Sequence, residues 1–136
     1  ARVRPLDSMK RKQFLKGMSQ LAEEGAIQLF TRTETGFEEL LCGVVGMLQF
    51  DVLTHRLRTE YGVSLLMDTL PFRFVRWVTQ SPLPADRLKL TSTSGRAVDG
   101  DGRDVLLFEN EWSIRLATEN NPGLTLAETA SRVTYE

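Results

Sequence analysis

One cysteine and one histidine are all that 136 residues provide of the two most versatile catalytic and metal-binding side chains. Cys42 alone closes no internal disulfide. With His55 it falls short of the about four ligands of a Cys/His zinc site. A Ser-His-Asp or Cys-His apparatus would have to run through His55. That residue lies mid-helix between Thr54 and Arg56, far in sequence from Cys42, and reads as a surface group. No apolar run approaches the roughly 20 residues that span a bilayer. Ala1-Arg2-Val3-Arg4-Pro5 leads into no apolar stretch of a signal peptide. The lone thiol sits in an apolar run, which fits a buried group in a reducing, cytoplasmic setting.

Phosphate and metal chemistry are missing too. There is no Gly-x-x-x-x-Gly-Lys-[Ser/Thr] loop. Gly43 and Gly46 open a helix without the third glycine of a dinucleotide loop, so they read as turn and packing glycines. Asp99-Gly100-Asp101-Gly102-Arg103-Asp104 starts like a calcium loop but puts Arg103, Asp104 and Asn110 where a ligand, a glycine and a glutamate belong. An Asp-Gly turn before a strand explains it. The remaining carboxylates are scattered. The expectation is a chain without catalytic residues, cofactor or metal.

What is present is a moderate apolar fraction, 41%, enough for one core in a chain of one domain's length. The reading is a single domain over 1–136, with its core at about 8–110 and a tail at 120–136. The net charge of −1 hides an asymmetry. Residues 1–16 carry Arg2, Arg4, Lys10, Arg11, Lys12 and Lys16 against Asp7, while the rest is acidic on balance. A basic end on an acidic body suits an anionic partner.

Phe14, Leu15, Met18, Leu21 and Ala22 recur at helical spacing and predict a helix over about 8–24, capped by Asp7 or Ser8 and ended by Gly25. Its charges run against the macrodipole. Lys10, Arg11 and Lys12 stand at the positive end, and Glu23 and Glu24 at the negative end. Each such placement costs about 0.3–1 kcal/mol when exposed. Lys12 and Lys16 repel at i,i+4 for a further few tenths of a kcal/mol, roughly. Folding alone does not favour this arrangement, whereas docking on a phosphate-rich or acidic surface does.

Strands are predicted over 26–32 and 39–45, joined as a hairpin through 33–36. A second helix over 47–60 shows a main stripe of Met47, Phe50, Leu53, Leu57 and Tyr61. A smaller stripe, Leu48 and Val52, is either a wide core face or a second contact surface. A strand at 63–67 completes a strand–helix–strand unit, predicted to be a right-handed parallel crossover. Beyond it come a strand at 72–79, a short helix near 85–92, a strand at 105–108 and a helix at 111–119 capped by Asn110. Arg73 and Arg76 fall on opposite faces of their strand, which argues against a sheet-borne RNA platform, and Trp77 reads as core. The order implies an α+β fold, a ferredoxin-like two-layer sandwich with helices on one face of a mixed or antiparallel sheet, plus an irregular C-terminal extension.

Several segments also resemble a known family. They are Met9-Lys10-Arg11-Lys12-Gln13-Phe14-Leu15-Lys16-Gly17-Met18, Gln20 to Phe30 with its Glu23-Glu24-Gly25-Ala26, Gly43-Val44-Val45-Gly46-Met47-Leu48-Gln49-Phe50-Asp51-Val52, Arg56 to Val63, and Arg76-Trp77-Val78. Together they resemble the C-terminal domain of the bacterial class II peptide chain release factors. The resemblance covers about residues 9–80. It implies a fragment of a longer protein, lacking that protein's GTPase and β-barrel domains. The parent would bind GTP and magnesium and recycle class I release factors from the ribosome in translation termination. The fragment would contact the small ribosomal subunit and its RNA, together with the other domains of the parent. It would bind neither membrane nor DNA. The resemblance carries over no catalytic residue. Lys10, Arg11, Lys12 and Lys16 are the expected contacts to ribosome, RNA or a neighbouring domain, with Leu48 and Val52 as a second contact stripe. The alternatives are a free-standing RNA-binding module and a small-molecule regulatory domain of the same fold.

Overall fold

The basic N-terminal end is a strand, β1 (Arg2–Pro5). In the computed structural model, which describes residues 1–34 and 36–130, β1 leads through a 3₁₀ turn at Ser8–Lys10 into α1 (Arg11–Glu23). Then follow β2 (Gln28–Arg32), β3 (Glu39–Gly43), α2 (Leu48–Tyr61) and β4 (Leu65–Asp68). The chain divides into two units, and the first comprises Ala1–Arg32 and Phe37–Leu70. Its strands run in the order β4-β1-β3-β2, each antiparallel to its neighbour. This is the ferredoxin-like β-α-β-β-α-β arrangement. β3 and β4 are parallel to one another, as a crossover requires, but β1 lies between them.

Pro5 shapes the middle of this sheet. Ala1 and Cys42 exchange two backbone hydrogen bonds, at 2.9 and 2.8 Å, and the ladder runs on through Val3 opposite Leu40. The next hydrogen-bonded position belongs to Pro5, which has no N–H to donate. Pairing with β3 stops there, while pairing with β4 continues to Pro5 opposite Leu65. Arg2 ties the three strands together. Its guanidinium donates to Glu39 on β3 and Asp68 on β4, both at 3.0 Å, and Asp68 above all holds its pKa above the usual arginine value.

One face of the sheet carries Val3, Leu29, Leu40, Cys42 and Met67. They pack with Phe14, Met18 and Leu21 of α1 and with Leu53 and Leu57 of α2. The helices meet at Gly17, where a Cβ would come within 2.7 Å of the Leu57 side chain and 3.0 Å of the Tyr61 ring. Asp7 caps the first turn by accepting from the Met9 amide at 3.0 Å. Gly25, at φ 81°, ends α1 with its own amide on the Ala22 carbonyl and the Ala26 amide on that of Leu21, a double C-terminal closure.

The second unit takes Thr33–Gly36 and the chain from Pro71 onward. It holds β5 (Phe74–Gln80), β6 (Gly95–Asp99), β7 (Asp104–Phe108), α3 (Glu111–Asn120) and β8 (Thr125–Ala127). Its antiparallel order is β6-β7-β5-β8. β7 is buried from Val105 to Phe108, and Leu106 and Phe108 pack with Leu88, Ala117 and Leu124. Trp77 is buried, as its type suggested, and its indole N–H donates to Asp99 at 2.9 Å. Asp99 also accepts from the amides of Asp101 and Arg103 at 2.9 Å each. The acidic stretch is thus the bonded turn of the β6–β7 hairpin.

Three expectations are corrected here. The helix near 85–92 is only a 3₁₀ turn at Ala85–Arg87. Arg96 takes the carbonyls of Ala85 and Leu88, both at 2.7 Å, and the Asn121 side chain bonds both the amide and the carbonyl of Lys89. Distant side chains therefore hold backbone groups that a helix would have used. The stretch from 120 is not all tail, because Asn121 and Leu124 are buried and β8 pairs with β5. The tail's last residues, 131–136, lie outside the described residues. The core also starts before residue 8, with Val3 buried in β1.

Candidate docking surfaces

The structure separates the four cations expected to act together. Lys10 reaches across the surface to α2, and its Nζ donates to the Gly62 carbonyl at 2.8 Å, at the C-terminal end of that helix. A cation there is favourable to that helix. At the other end of α1, Glu24 meets Arg56 of α2, with the carboxylate accepting at 2.5 and 3.3 Å. Arg56 also holds Glu60 at 2.8 Å. This fork keeps the Glu24 carboxyl below the usual carboxylate range and raises Arg56. Two of the misplaced charges of α1 are therefore answered by α2.

Arg11, Lys12 and Lys16 are exposed. The helical rotation sets Lys12 and Lys16 opposite the buried face of Phe14, Met18 and Leu21, pointing outward together. Neither forms an ion pair among the described residues. Arg11 points elsewhere. With Arg4, Leu15, Phe37, Glu38 and Glu39 it lines a concavity of about 420 Å³, where β1 and β3 part below Pro5. Arginine and glutamate share that wall, so it presents no single charge.

The second stripe lies outside the core. Leu53 and Leu57 turn into the core, whereas Leu48 and Val52 are exposed. Met47 leaves the expected core stripe and joins them outside, as does Val45 in the loop before the helix. That loop is fixed: the Val45 amide donates to Gln49 Oε1 at 2.8 Å, and the Gln49 amide to the Gly46 carbonyl at 3.0 Å.

Among the described residues no three His, Cys, Asp or Glu side chains gather as a metal would need. No helix among the described residues is long and apolar enough to cross a membrane. Cys42 is buried, and burial pushes its thiol up to about 11. His55 is exposed on α2.

Comparison with known proteins agrees on one family. Residues 1–118 match the family described as the class II release factor RF3, C-terminal domain. The chain belongs to that family. It is 49% identical over 131 residues to peptide chain release factor 3 of Symbiobacterium thermophilum, covering 96% of this chain and 24% of the relative. It is 39% identical over 127 residues to peptide chain release factor 3 of Streptococcus pyogenes serotype M5, covering 93% of this chain and 24% of the relative. The chain thus spans about a quarter of the length of these relatives. The match includes β6, β7 and most of α3, well past the residues that carried the resemblance.

Within this release factor 3 domain, sequence reasoning missed Arg56 as the partner of Glu24. It also missed Val45 and Met47 as part of the exposed apolar group. Arg56 had a signal, since Glu60 four residues on completes an i,i+4 pair. Val45 had none, because a valine directly after Val44 reads as a continuing strand.

Proposed function

We propose that this chain is the docking end of a translational GTPase that recycles class I release factors from the ribosome during termination. The outer face of α1, Lys12 and Lys16, would meet the small subunit and its RNA, with Arg11 at the side of the contact. GTP and magnesium would be held elsewhere in the longer polypeptide, since this sequence contains no P-loop. Family membership supports the class of protein. The observation that carries the surface is the unequal treatment of α1's charges. Lys10 and Glu24 are compensated by α2, but Lys12, in the first turn of the helix, and Lys16, one turn further on the same face, have no acidic partner among the described residues. A pair left uncompensated on an exposed face is suited to phosphates.

The test is the double substitution Lys12→Glu and Lys16→Glu. The isolated 136-residue chain should keep its melting temperature or gain slightly, since acids suit a helix start. In the full-length factor, ribosome association should weaken about tenfold or more, with a shallower dependence on salt concentration. Unchanged association would refute the assignment. RNA binding by the isolated chain at full strength, without the rest of the protein, would favour a free-standing RNA-binding module instead.

A further inference from the structure

We infer that Val45, Met47, Leu48 and Val52 form the seat for the part of the same polypeptide that leads into Ala1. These side chains are 100%, 68%, 79% and 53% exposed. Single exposed apolar residues are ordinary, but contiguous ones mark contact sites. Here four fall within eight residues and on one end of one unit. Leu48 and Val52 are neighbours at i,i+4 on α2. Val45 and Met47 are set beside them by a turn that the Gln49 side chain fastens. A loop that served only as a connection would gain nothing from being held with a valine in water.

Two observations select the occupant, and both rest on the reading of the chain as one end of a longer release factor. First, the chain makes up about a quarter of its relatives' length, so most of such a polypeptide lies outside this structure. Second, the chain enters at the seat. Ala1 exchanges both backbone hydrogen bonds with Cys42. Cys42 lies three positions before Val45, so the preceding polypeptide arrives at the mouth of the same loop. Size argues the same way. A stable complex between separate proteins buries about 800 Å² per partner, more than four side chains supply. A tethered neighbour meets the patch at an effective concentration in the millimolar range, roughly, and needs far less. A second copy or an unattached protein has no such advantage. The occupant is therefore apolar at its point of contact and covalently continuous with β1.

The methionines of the chain provide the readout. Met9 is 89% exposed and Met18 fully buried, so they bracket Met47 as internal standards. Whether a longer polypeptide exists is read first from its coding sequence, so that the loss of that reading is a separate result. Peroxide oxidation is then followed by mass spectrometry in the 136-residue chain and in the full-length factor. In the short chain Met9 and Met47 should oxidise at similar rates and Met18 far more slowly. In the full-length factor Met47 should slow at least about fivefold relative to Met9. The exposed double variant Leu48→Lys, Val52→Lys should restore the fast rate there while leaving the melting of the short chain unchanged. Equal Met47 rates in both proteins would overturn the inference. So would protection that grows with the concentration of the short chain, which is a second copy, or that appears only on adding ribosomes, which is a ribosomal partner.

Discussion

The two units of this chain are built from the same kinds of element but held by different means. The first is an apolar interlock. Two helices cross at Gly17 over a sheet face of Val3, Leu29, Leu40 and Cys42. The second has its own apolar cluster, yet side chains that reach distant backbone fix its connections. Asn121 bonds Lys89 and the Ala117 carbonyl, Arg96 bonds Ala85 and Leu88, and Asp99 holds its own hairpin turn. Periodic packing is spread over many contacts and tolerates small adjustments. A single polar anchor is all or nothing, because losing it leaves buried donors and acceptors unpaired.

The contrast is sharpest under truncation. Leu57 is fully buried against Gly17 and the rest of the first core. Leu57→Ala should destabilise by about 2–5 kcal/mol, seen as a lower denaturant midpoint. Asn121→Leu keeps the branched shape, with bulkier end groups, and removes the polar bridge. It strands the amide and carbonyl of Lys89 and the carbonyl of Ala117. A cost of about 2–3 kcal/mol is expected, with faster amide exchange at Lys89. If Asn121→Leu were neutral, the claim that anchors hold the second unit would fail.

A smaller effect probes how tight the interlock is. Gly17→Ala gains about 1 kcal/mol of helix propensity. It also drives a methyl into Leu57 and Tyr61, and overpacking costs about 1–3 kcal/mol. A net loss near 1 kcal/mol is expected, whereas a more stable variant would show that the helices can part without penalty.

The same difference explains what the sequence made legible. Both helices of the first unit announced themselves by spacing, and so did the hairpin of β2 and β3, because their partners lie on regular faces. β1 was hidden by composition. Arg2, Arg4 and Pro5 look like a solvated terminus, yet Arg2 is spent on Glu39 and Asp68 across both neighbouring strands. Without β1 the ferredoxin-like order was a guess from the remaining elements. In the second unit, β6 and β8 carry too few apolar residues to stand out, and the short 85–92 segment looked helical because Arg96 and Asn121 act from outside it. Of the surface, the cationic run on α1 was legible. Its division was not, since Lys10's choice of Gly62 depends on how the helices cross.

The smallest effect concerns Cys42, a titratable group buried in the first core. Burial pushes its thiol up to about 11 from an ordinary value near 9. The unfolded chain therefore releases this proton before the folded one does. The folded state binds more protons between these two values, so the Cys42 contribution to stability should be flat below about pH 9 and fall from there towards pH 11. By about pH 10 the loss amounts to roughly 1 kcal/mol. Cys42→Ala removes the proton along with some packing. It should have a lower midpoint at neutral pH but none of the Cys42 contribution to the alkaline decline, so the two denaturation curves converge as pH rises. The same burial makes the thiol slow. At pH 8 its thiolate fraction is about a hundredfold below that of a free cysteine, before access is counted. A disulfide reagent should therefore label the native chain at the rate of local or global opening and the denatured chain at once. Stoichiometric labelling of the native chain within seconds would mean that the face of β3 beneath the helices is open to water, and the interlock that distinguishes the first unit would be far looser than its geometry indicates.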